Sequence, residues 1–206
     1  MVSFRKLAAA ALAASAPVMA ALTPAGIVVA IKDLTAKSQA LQQPAHSISL
    51  INGPLIVVGL GPFPQIIVGF TQIINVATTA VPEIATTPAI DVVADRQAVA
   101  DAFKEFVRVH QVLLNILIGK AGLFTTVPFI GAPVTAILRQ LESTVDAFAF
   151  AVIDVVASQD GVPSSATSLT ATLDAAIKSY EGLQLTKREN AIPVAAIKAA
   201  PIAARA

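Results

Sequence analysis

The sequence predicts an all-α protein, a single antiparallel bundle of about five helices that follows a cleaved signal peptide. Two long stretches support this prediction. From Val99 to Leu117, buried-type residues recur at offsets of 4, 7, 11, 14 and 18, and the residues from Val134 to Val155 repeat the pattern. Such offsets place each set along one stripe of a 3.6-residue helix. No strand pattern separates the two stretches, so their stripes must pack against each other and against further helices.

Three further helices are predicted around this central pair. The first spans residues 24–44, with Thr23 as its N-cap and a proline at each end. The second spans residues 64 to about 80. The last spans residues 167–181 and follows a turn at 160–163. Each of these segments has an apolar stripe at helical spacing, which predicts that all three helices contribute to one core.

The composition indicates an excess of apolar surface. Hydrophobic residues make up 55% of the chain and charged residues 13%, against roughly 45–50% and 25% in typical globular domains. This balance is typical of a membrane protein, a very apolar globule, or a protein that holds something apolar. No cysteine occurs, which excludes thiolate and disulfide chemistry. The net charge is only +1, so the chain has no excess of basic residues to form a patch for a phosphate backbone. We therefore expect no nucleic-acid partner.

The stretch from Ser38 to Pro82 contains no Asp, Glu, Lys or Arg. Its most apolar part, Ile48–Ile74, is interrupted by glycine and proline, for example at Gly53-Pro54 and Gly61-Pro62. A membrane-spanning helix of about 20 residues tolerates such breaks poorly unless neighbouring helices satisfy the freed backbone groups. We therefore expect no integral membrane span, and a transmembrane helix in this stretch is the alternative.

Both ends of the chain resemble processing signals. Met1–Ala20 has a basic start, an apolar run and small residues at its end, the pattern of a secretory signal peptide, which predicts a secreted protein. An Ala-rich N-terminal helix is the alternative. We expect the bundle to occupy residues 21–186 and an Ala/Pro-rich tail, residues 187–206, to be disordered. Lys187-Arg188 is either a protease site or a charged pair in a solvated tail.

Catalytic chemistry is not expected from this sequence. The two histidines, His46 and His110, fall in different parts of the chain, and no nucleophile elbow, zinc-binding His pair or phosphate-binding loop occurs. His110 lies on the apolar stripe of its helix, so we expect a hydrogen-bonded core histidine there. The sequence therefore predicts no enzymatic activity, no cofactor and no metal site.

Binding of an apolar ligand explains the composition better. A bundle with excess aliphatic and aromatic residues can form an elongated cavity between its helices, and dry apolar cavities take up hydrocarbon. An acyl chain of about 12–16 methylenes gains roughly 10–13 kcal/mol, at about 0.8 kcal/mol for each methylene, before ordering costs. Apolar faces could also adsorb to a flat hydrophobic surface. The alternative is that the apolar content is simply core.

Three segments carry a resemblance to a known family: Val109–Lys120 (VHQVLLNILIGK), Gly131–Val134 (GAPV) and Leu138–Glu142 (LRQLE). In them the chain resembles the fungal hydrophobic surface-binding protein A family, which is related to the fungal cell-wall galactomannoproteins. The resemblance implies a small secreted all-helical protein that adsorbs to hydrophobic solids and recruits a secreted hydrolase such as a cutinase. The galactomannoprotein branch implies capture of fatty acids within the bundle. No catalytic residues carry over.

We therefore predict a secreted non-enzymatic protein that binds hydrophobic surfaces or fatty acyl chains. We expect it outside the cell, either free or associated with the cell wall. The alternative is a cell-wall-associated structural or effector protein. The predicted interior contacts lie on the second, third and fourth helices: Ile66, Phe70, Ile73, Phe103, Phe106, Leu113, Leu117, Phe148 and Val152. The predicted outer contacts lie in the loop between the two central helices: Leu123, Phe124, Phe129 and Ile130.

Overall fold

The computed structural model describes residues 20–49, 51, 60–124, 131–156 and 161–181. It contains five α-helices: α1 (Pro24–His46), α2 (Pro62–Ala85), α3 (Val93–Ala121), α4 (Gly131–Val155) and α5 (Val162–Glu181). A short 3-10 turn, Gly122–Phe124, follows α3. No strand occurs in the described ranges, and the predicted all-α class is confirmed.

Helix α1 begins where the sequence predicts. The Thr23 hydroxyl accepts a hydrogen bond from the backbone N–H of Gly26 (3.1 Å), which satisfies one of the free donors in the first turn. Pro24 occupies the first helical position, where no N–H is needed. Asp33 and Lys37 form an i,i+4 ion pair (3.4 Å) further along.

Proline does not stop α1 and α2 where the sequence predicts. Helix α1 continues past Pro44, and α2 begins at Pro62 and continues past Pro82. A proline removes one N–H from a helix, but the following turn still closes here. The N–H of Ser47 donates to the carbonyl of Gln43 (3.1 Å), and an equivalent bond follows Pro82. The predicted ends at Pro44 and near residue 80 are therefore too early.

Helix α5 begins at Val162, earlier than the sequence predicts. Gly161, immediately before it, has a φ of 75°, a left-handed conformation that other residues rarely adopt. Its carbonyl accepts hydrogen bonds from the hydroxyls of Ser164 (2.8 Å) and Ser165 (3.0 Å). Pro163 lies in the first turn, where its missing N–H is not needed. The predicted turn is thus partly the start of the helix itself.

The five helices pack as a ring in the order α1, α2, α4, α5, α3, and the ring closes where α3 packs against α1. Consecutive helices run antiparallel. Helices α1 and α3 run parallel. Ser38 in α1 bonds to His110 in α3, and further in the same direction the carbonyl of Ile48, just past the end of α1, accepts a hydrogen bond from Lys120 in α3. Helices α1, α3 and α5 therefore end where α2 and α4 begin, which we call the upper end of the bundle.

The ring encloses one apolar core. Every member of the predicted stripes on α3 and α4, from Val99 to Leu117 and from Val134 to Val155, is buried. Residues from all five helices belong to the same packed cluster. The amphipathic patterns therefore identified the buried faces correctly.

Helix α2 is long and apolar enough to cross a membrane, by length and composition (mean hydropathy 1.2 over 18 residues). In the bundle its apolar face is buried, for example at Ile66 and Phe70, while Gln65 and Gln72 are exposed. A buried core helix meets the same length and composition criteria, so these alone do not make α2 a membrane span.

The described helices fall within the predicted range 21–186. The predicted signal peptide lies outside the described residues except for Ala20, and the predicted tail, 187–206, lies outside them entirely. Both remain predictions.

Candidate ligand-binding interior

Aromatic side chains from three helices meet at the centre of the ring. Phe106 of α3 lies edge-on to Phe148 of α4, with 6.5 Å between ring centroids, and 5.3 Å from the ring of His110. Phe70 of α2 lies 6.3 Å from His110, and Phe103 lies 6.2 Å from Phe106. Because α3 and α4 are not neighbours in the ring, these side chains fill the space between the two helices.

The nine predicted interior contacts come together in this core. Each is at most 2% exposed, and all belong to the same packed cluster: Ile66, Phe70, Ile73, Phe103, Phe106, Leu113, Leu117, Phe148 and Val152. Their shared location follows from the helical stripes, whereas their contact with a ligand remains a prediction. Because these side chains pack on one another, an acyl chain can enter only when some of them move aside.

A polar pair lies within this apolar core. The Ser38 hydroxyl donates to the carbonyl of Leu34 (2.8 Å) and lies 2.8 Å from Nδ1 of His110. A serine hydroxyl has one hydrogen, which Ser38 gives to Leu34. We therefore assign the imidazole proton to Nδ1, which donates to the Ser38 oxygen. The prediction of a hydrogen-bonded core histidine is confirmed. Sequence reasoning missed Ser38, although it interrupts the apolar stripe of α1 between Leu34 and Leu41.

His110 is neutral in this environment. It is fully buried, and loss of hydration on burial lowers the pKa of the imidazole to about 4. Its second nitrogen, Nε2, has no hydrogen-bond partner among the described residues. The hydroxyl of Thr135 on α4 is also buried and unpartnered within the same residues, and the sequence gave no reason to single it out.

Only two of the four predicted outer contacts, Leu123 and Phe124, lie within the described residues. Leu123 is half-buried and packs against the core. Phe124 lies in the 3-10 turn at the upper end, and Phe129 and Ile130 lie outside the described residues. Exposed apolar side chains do occur at this end, since Ile51 is 87% exposed and Leu60 is 59% exposed.

Surface grooves follow the α1–α2, α1–α3 and α4–α5 seams between helices. A cavity of about 490 Å³ lies between α1 and α3, with Ala36 and Ala102 among the residues in its wall. A cavity of about 290 Å³ lies between α4 and α5, beside Phe150 and Ile153. None of the nine predicted contacts lines any of these grooves. The sequence could not indicate these grooves, because each is formed by outward faces of separate helices.

The described residues contain no cluster of three His, Asp or Glu side chains that could hold a metal. The acidic residues that approach one another lie on the outside of the bundle, such as Glu142 and Asp174 at the α4–α5 seam. Partial burial, and after it a hydrogen bond with Asp174, raise the pKa of Glu142. The chemistry available inside the bundle is therefore that of apolar surface with a few neutral polar groups.

No protein-family model and no curated protein matches this sequence. Among solved structures, the fold is similar to that in the crystal structure of AFMP4P in complex with palmitic acid. The TM-score is 0.62 at 19% sequence identity, and the match covers 78% of this chain and 99% of AFMP4P. The two chains share a fold.

The likeness to AFMP4P extends over nearly the whole of that protein, so it concerns the complete bundle and not one helical hairpin. At this level of identity it establishes the architecture alone. AFMP4P was solved with a fatty acid, and the ligand is a property of that protein.

Proposed function

We propose that this protein is a non-enzymatic lipid-binding protein that takes up the acyl chain of a fatty acid between the helices of its bundle. The observation that carries the proposal is the shared fold with AFMP4P, which was solved with palmitic acid, together with an apolar core built from all five helices. The nine interior contact residues are the proposed walls of the site.

The apolar core accounts for the driving force. An acyl chain gains about 0.8 kcal/mol for each methylene that leaves water. The side chains that the acyl chain displaces lose part of their own burial, and this loss offsets part of the gain. Uptake is therefore favourable when the displaced side chains, such as Phe106 and Phe148, find new apolar contacts against the chain.

The ring arrangement of the helices allows the acyl chain to take the place of core side chains. Helices α3 and α4 are held apart by the rings of Phe106 and Phe148. Rotation of these rings makes room along the axis of the bundle without breaking a backbone hydrogen bond. The binding site is then a minor conformation of the free protein that the ligand stabilises.

The first experiment is direct. The protein purified from its secreting host is extracted with organic solvent, and the extract is searched for fatty acid by mass spectrometry. Delipidated protein is then titrated with palmitic acid, and its melting temperature should rise with ligand concentration. A delipidated, folded protein that neither binds palmitic acid nor melts at a higher temperature with it would contradict the proposal.

A matched pair of variants locates the site. Val152→Phe adds a ring to the core, and Ile153→Phe adds one at the next position, which is half-buried and borders the groove between α4 and α5. Val152→Phe should weaken palmitic acid binding about tenfold or more, and Ile153→Phe should leave it unchanged. Far-UV circular dichroism confirms that both variants are folded. Equal affinities in the two variants would place the ligand outside the core.

Adsorption to hydrophobic solids is a second candidate function. The upper end favours it, because Ile51 and Leu60 are exposed there and Leu123 and Phe124 lie on the same side. The double variant Phe124→Ser, Phe129→Ser should weaken adsorption to hydrophobic beads while helix content stays the same. Unaltered adsorption would exclude this loop as the outer contact.

Secretion and recruitment of a hydrolase such as a cutinase complete the proposal. Secretion rests on the signal-peptide pattern of Met1–Ala20, and recruitment rests on the family resemblance. N-terminal sequencing of the protein from culture medium should begin at Ala21. Hydrolysis of a solid polyester by a cutinase should speed up when the protein is adsorbed first. A cell-bound protein with an intact N-terminus, or an unchanged rate of hydrolysis, would contradict these points.

A further inference from the structure

Polar side chains are rare inside the bundle, so each one needs an explanation. The Tyr180 hydroxyl donates to the carbonyl of Leu117 (2.9 Å) and is satisfied. The other buried polar residues in the described part of the chain are Ser38, His110 and Thr135. Of these, Ser38 is paired both with its own helix and with His110.

Only one of the two ring nitrogens of His110 has a hydrogen-bond partner among the described residues. Its Nδ1–H donates to Ser38, and Nε2 is left as a buried acceptor with no partner in the described ranges. An unsatisfied buried acceptor destabilises a protein, and an apolar residue would fill the same place without that cost. The ring cannot turn to find a partner, because Ser38 holds one edge while Phe70 and Phe106 pack against it.

Two other polar groups are rival positions for a ligand's headgroup. Thr135 is also unpartnered in the described chain, but a threonine hydroxyl in a helix can rotate towards the carbonyl four residues earlier. Lys120 lies at the upper end, where its ammonium donates to the carbonyl of Ile48 (2.9 Å). It would attract a carboxylate anion from solvent, without uptake of a proton.

We propose that Nε2 of His110 accepts the O–H of a carboxylic acid headgroup, so that the bundle selects a single-chain fatty acid over its ester. This proposal rests on the function proposed above. The acid's proton lies between the carboxyl oxygen and Nε2, and the acyl chain extends through the apolar core. The headgroup and the imidazole together carry no net charge.

The surroundings of His110 require this neutrality. The groups that face it are the Ser38 hydroxyl from α1 and the rings of Phe70 and Phe106 from α2 and α3. No Asp, Glu, Lys or Arg is buried among the described residues. A carboxylate brought here without a proton would have no opposite charge to pair with, which is strongly unfavourable.

Proton uptake gives the proposal a specific signature. Carboxylic acids ionise in water at about pH 4–5, and the free imidazole is neutral at pH 7 because burial lowers its pKa to about 4. Binding at neutral pH therefore takes one proton from solvent for each acid bound. The affinity for the acid should fall about tenfold for each pH unit above that range, whereas a fatty alcohol or a methyl ester should bind independently of pH.

The experiment uses the delipidated full-length protein and three probes: dodecanoic acid, 1-dodecanol and methyl dodecanoate. Their affinities are measured by calorimetry from about pH 6 to about pH 8, with wild type and His110→Leu. In wild type the acid should show the slope of one proton. In His110→Leu the acid and the alcohol should bind about tenfold more weakly, because the acceptor for their O–H is gone, while the ester is unaffected.

Further variants separate this role from a structural one. His110→Leu should melt at a higher temperature than wild type without ligand, because it removes the unsatisfied acceptor. His110→Gln keeps an acceptor and should retain part of the preference for the acid. Thr135→Val removes the other buried hydroxyl and should leave the slope and the preference unchanged, as should Lys120→Gln.

Several results would overturn the proposal. An acid affinity that does not change with pH in wild type would mean that the anion binds, as expected at Lys120. An acid affinity that is the same in His110→Leu as in wild type, or a slope that is lost in Thr135→Val, would place the headgroup elsewhere. Equal binding of all three probes would refute selection at His110 and leave the proposed lipid binding intact. Binding of none would refute both.

Discussion

The centre of the ring and the seams between helices are built on different principles. At the centre, apolar side chains from non-neighbouring helices fill the space, as Phe106 and Phe148 do. At the seams, neighbouring helices are joined by polar bonds near the surface. The Gln111 amide of α3 donates to Ser168 and Thr172 of α5, and Arg139 of α4 pairs with Glu181 of α5.

This difference means that the centre determines the stability of the fold, whereas the seams determine how easily a ligand reaches the core. Burial in the centre supplies most of the free energy of folding, because each large apolar side chain there is fully removed from water. Surface polar bonds contribute much less, since water competes for the same groups. Opening a seam should therefore cost little, whereas emptying the centre should cost much unless a ligand refills it.

The largest loss of stability should come from a substitution in the centre of the ring. Phe148→Ala removes a fully buried ring and should destabilise the protein by about 3–5 kcal/mol in urea unfolding. The control is Phe150→Ala on the same helix, where the side chain is 67% exposed, and its effect should stay within about 0.5 kcal/mol. Similar losses in the two variants would show that the centre is not the main source of stability.

A smaller loss of stability should come from the seam between α1 and α2, where Gly69 lies against the buried side chain of Leu41. A methyl group added at Gly69 of α2 would lie 2.2 Å from Leu41 of α1, which is nearly fully buried. Gly69→Ala should therefore destabilise by about 1–3 kcal/mol through overpacking, reduced by the better helix propensity of alanine. Gly119→Ala, where the added atom meets open space, should instead stabilise by about 0.5–1 kcal/mol. The reverse order of stabilities would contradict this assignment.

A polar seam should matter less still. Gln111→Ala removes the hydrogen bonds from its side-chain amide to Ser168 and Thr172 of α5 and should destabilise the protein by about 1 kcal/mol. The exposed Gln72→Ala on α2 serves as the control and should be close to neutral. If Gln111→Ala proved as damaging as Phe148→Ala, the distinction between centre and seam would fail.

The smallest effect should depend on pH. The pKa of Glu142 is raised above its ordinary value of 4.5 in the folded protein, first by partial burial and then by Asp174. The folded state therefore binds the Glu142 proton more tightly, and this contribution to stability is complete below about pH 4.5 and is lost as pH rises through the raised pKa. Glu142→Gln should flatten the fall in melting temperature between about pH 4 and pH 7. An identical pH profile in the variant would refute the carboxyl contact.

Much of the helical structure was predictable from local patterns. The stripe that includes Phe103 and Leu113 identified the buried face of α3, and Thr23 identified the start of α1, because both depend on residues within a few turns. The ends at Pro44 and near residue 80 were predicted wrongly. Proline near the end of a helix removes one bond, and packing of the rest of the helix compensates for it.

The candidate site was predictable only in part. The nine apolar contacts were found because burial follows helical period, but Ser38 and Thr135 were missed. A single polar residue in an apolar stripe is a weak signal in sequence, since it acquires meaning only from its partner. The partner of Ser38 lies 72 residues away, on a helix whose position no local pattern specifies.

By itself, the sequence determined which segments are helical, which face of each helix is apolar and how few charges the chain carries. These properties depend on neighbours along the chain. The tertiary structure alone decided that α3 closes the ring against α1, that Phe148 meets Phe106 across the axis, and that one nitrogen of His110 is left without a partner among the described residues. Many packings bury the same stripes equally well, and the complementary shapes of distant side chains select one of them.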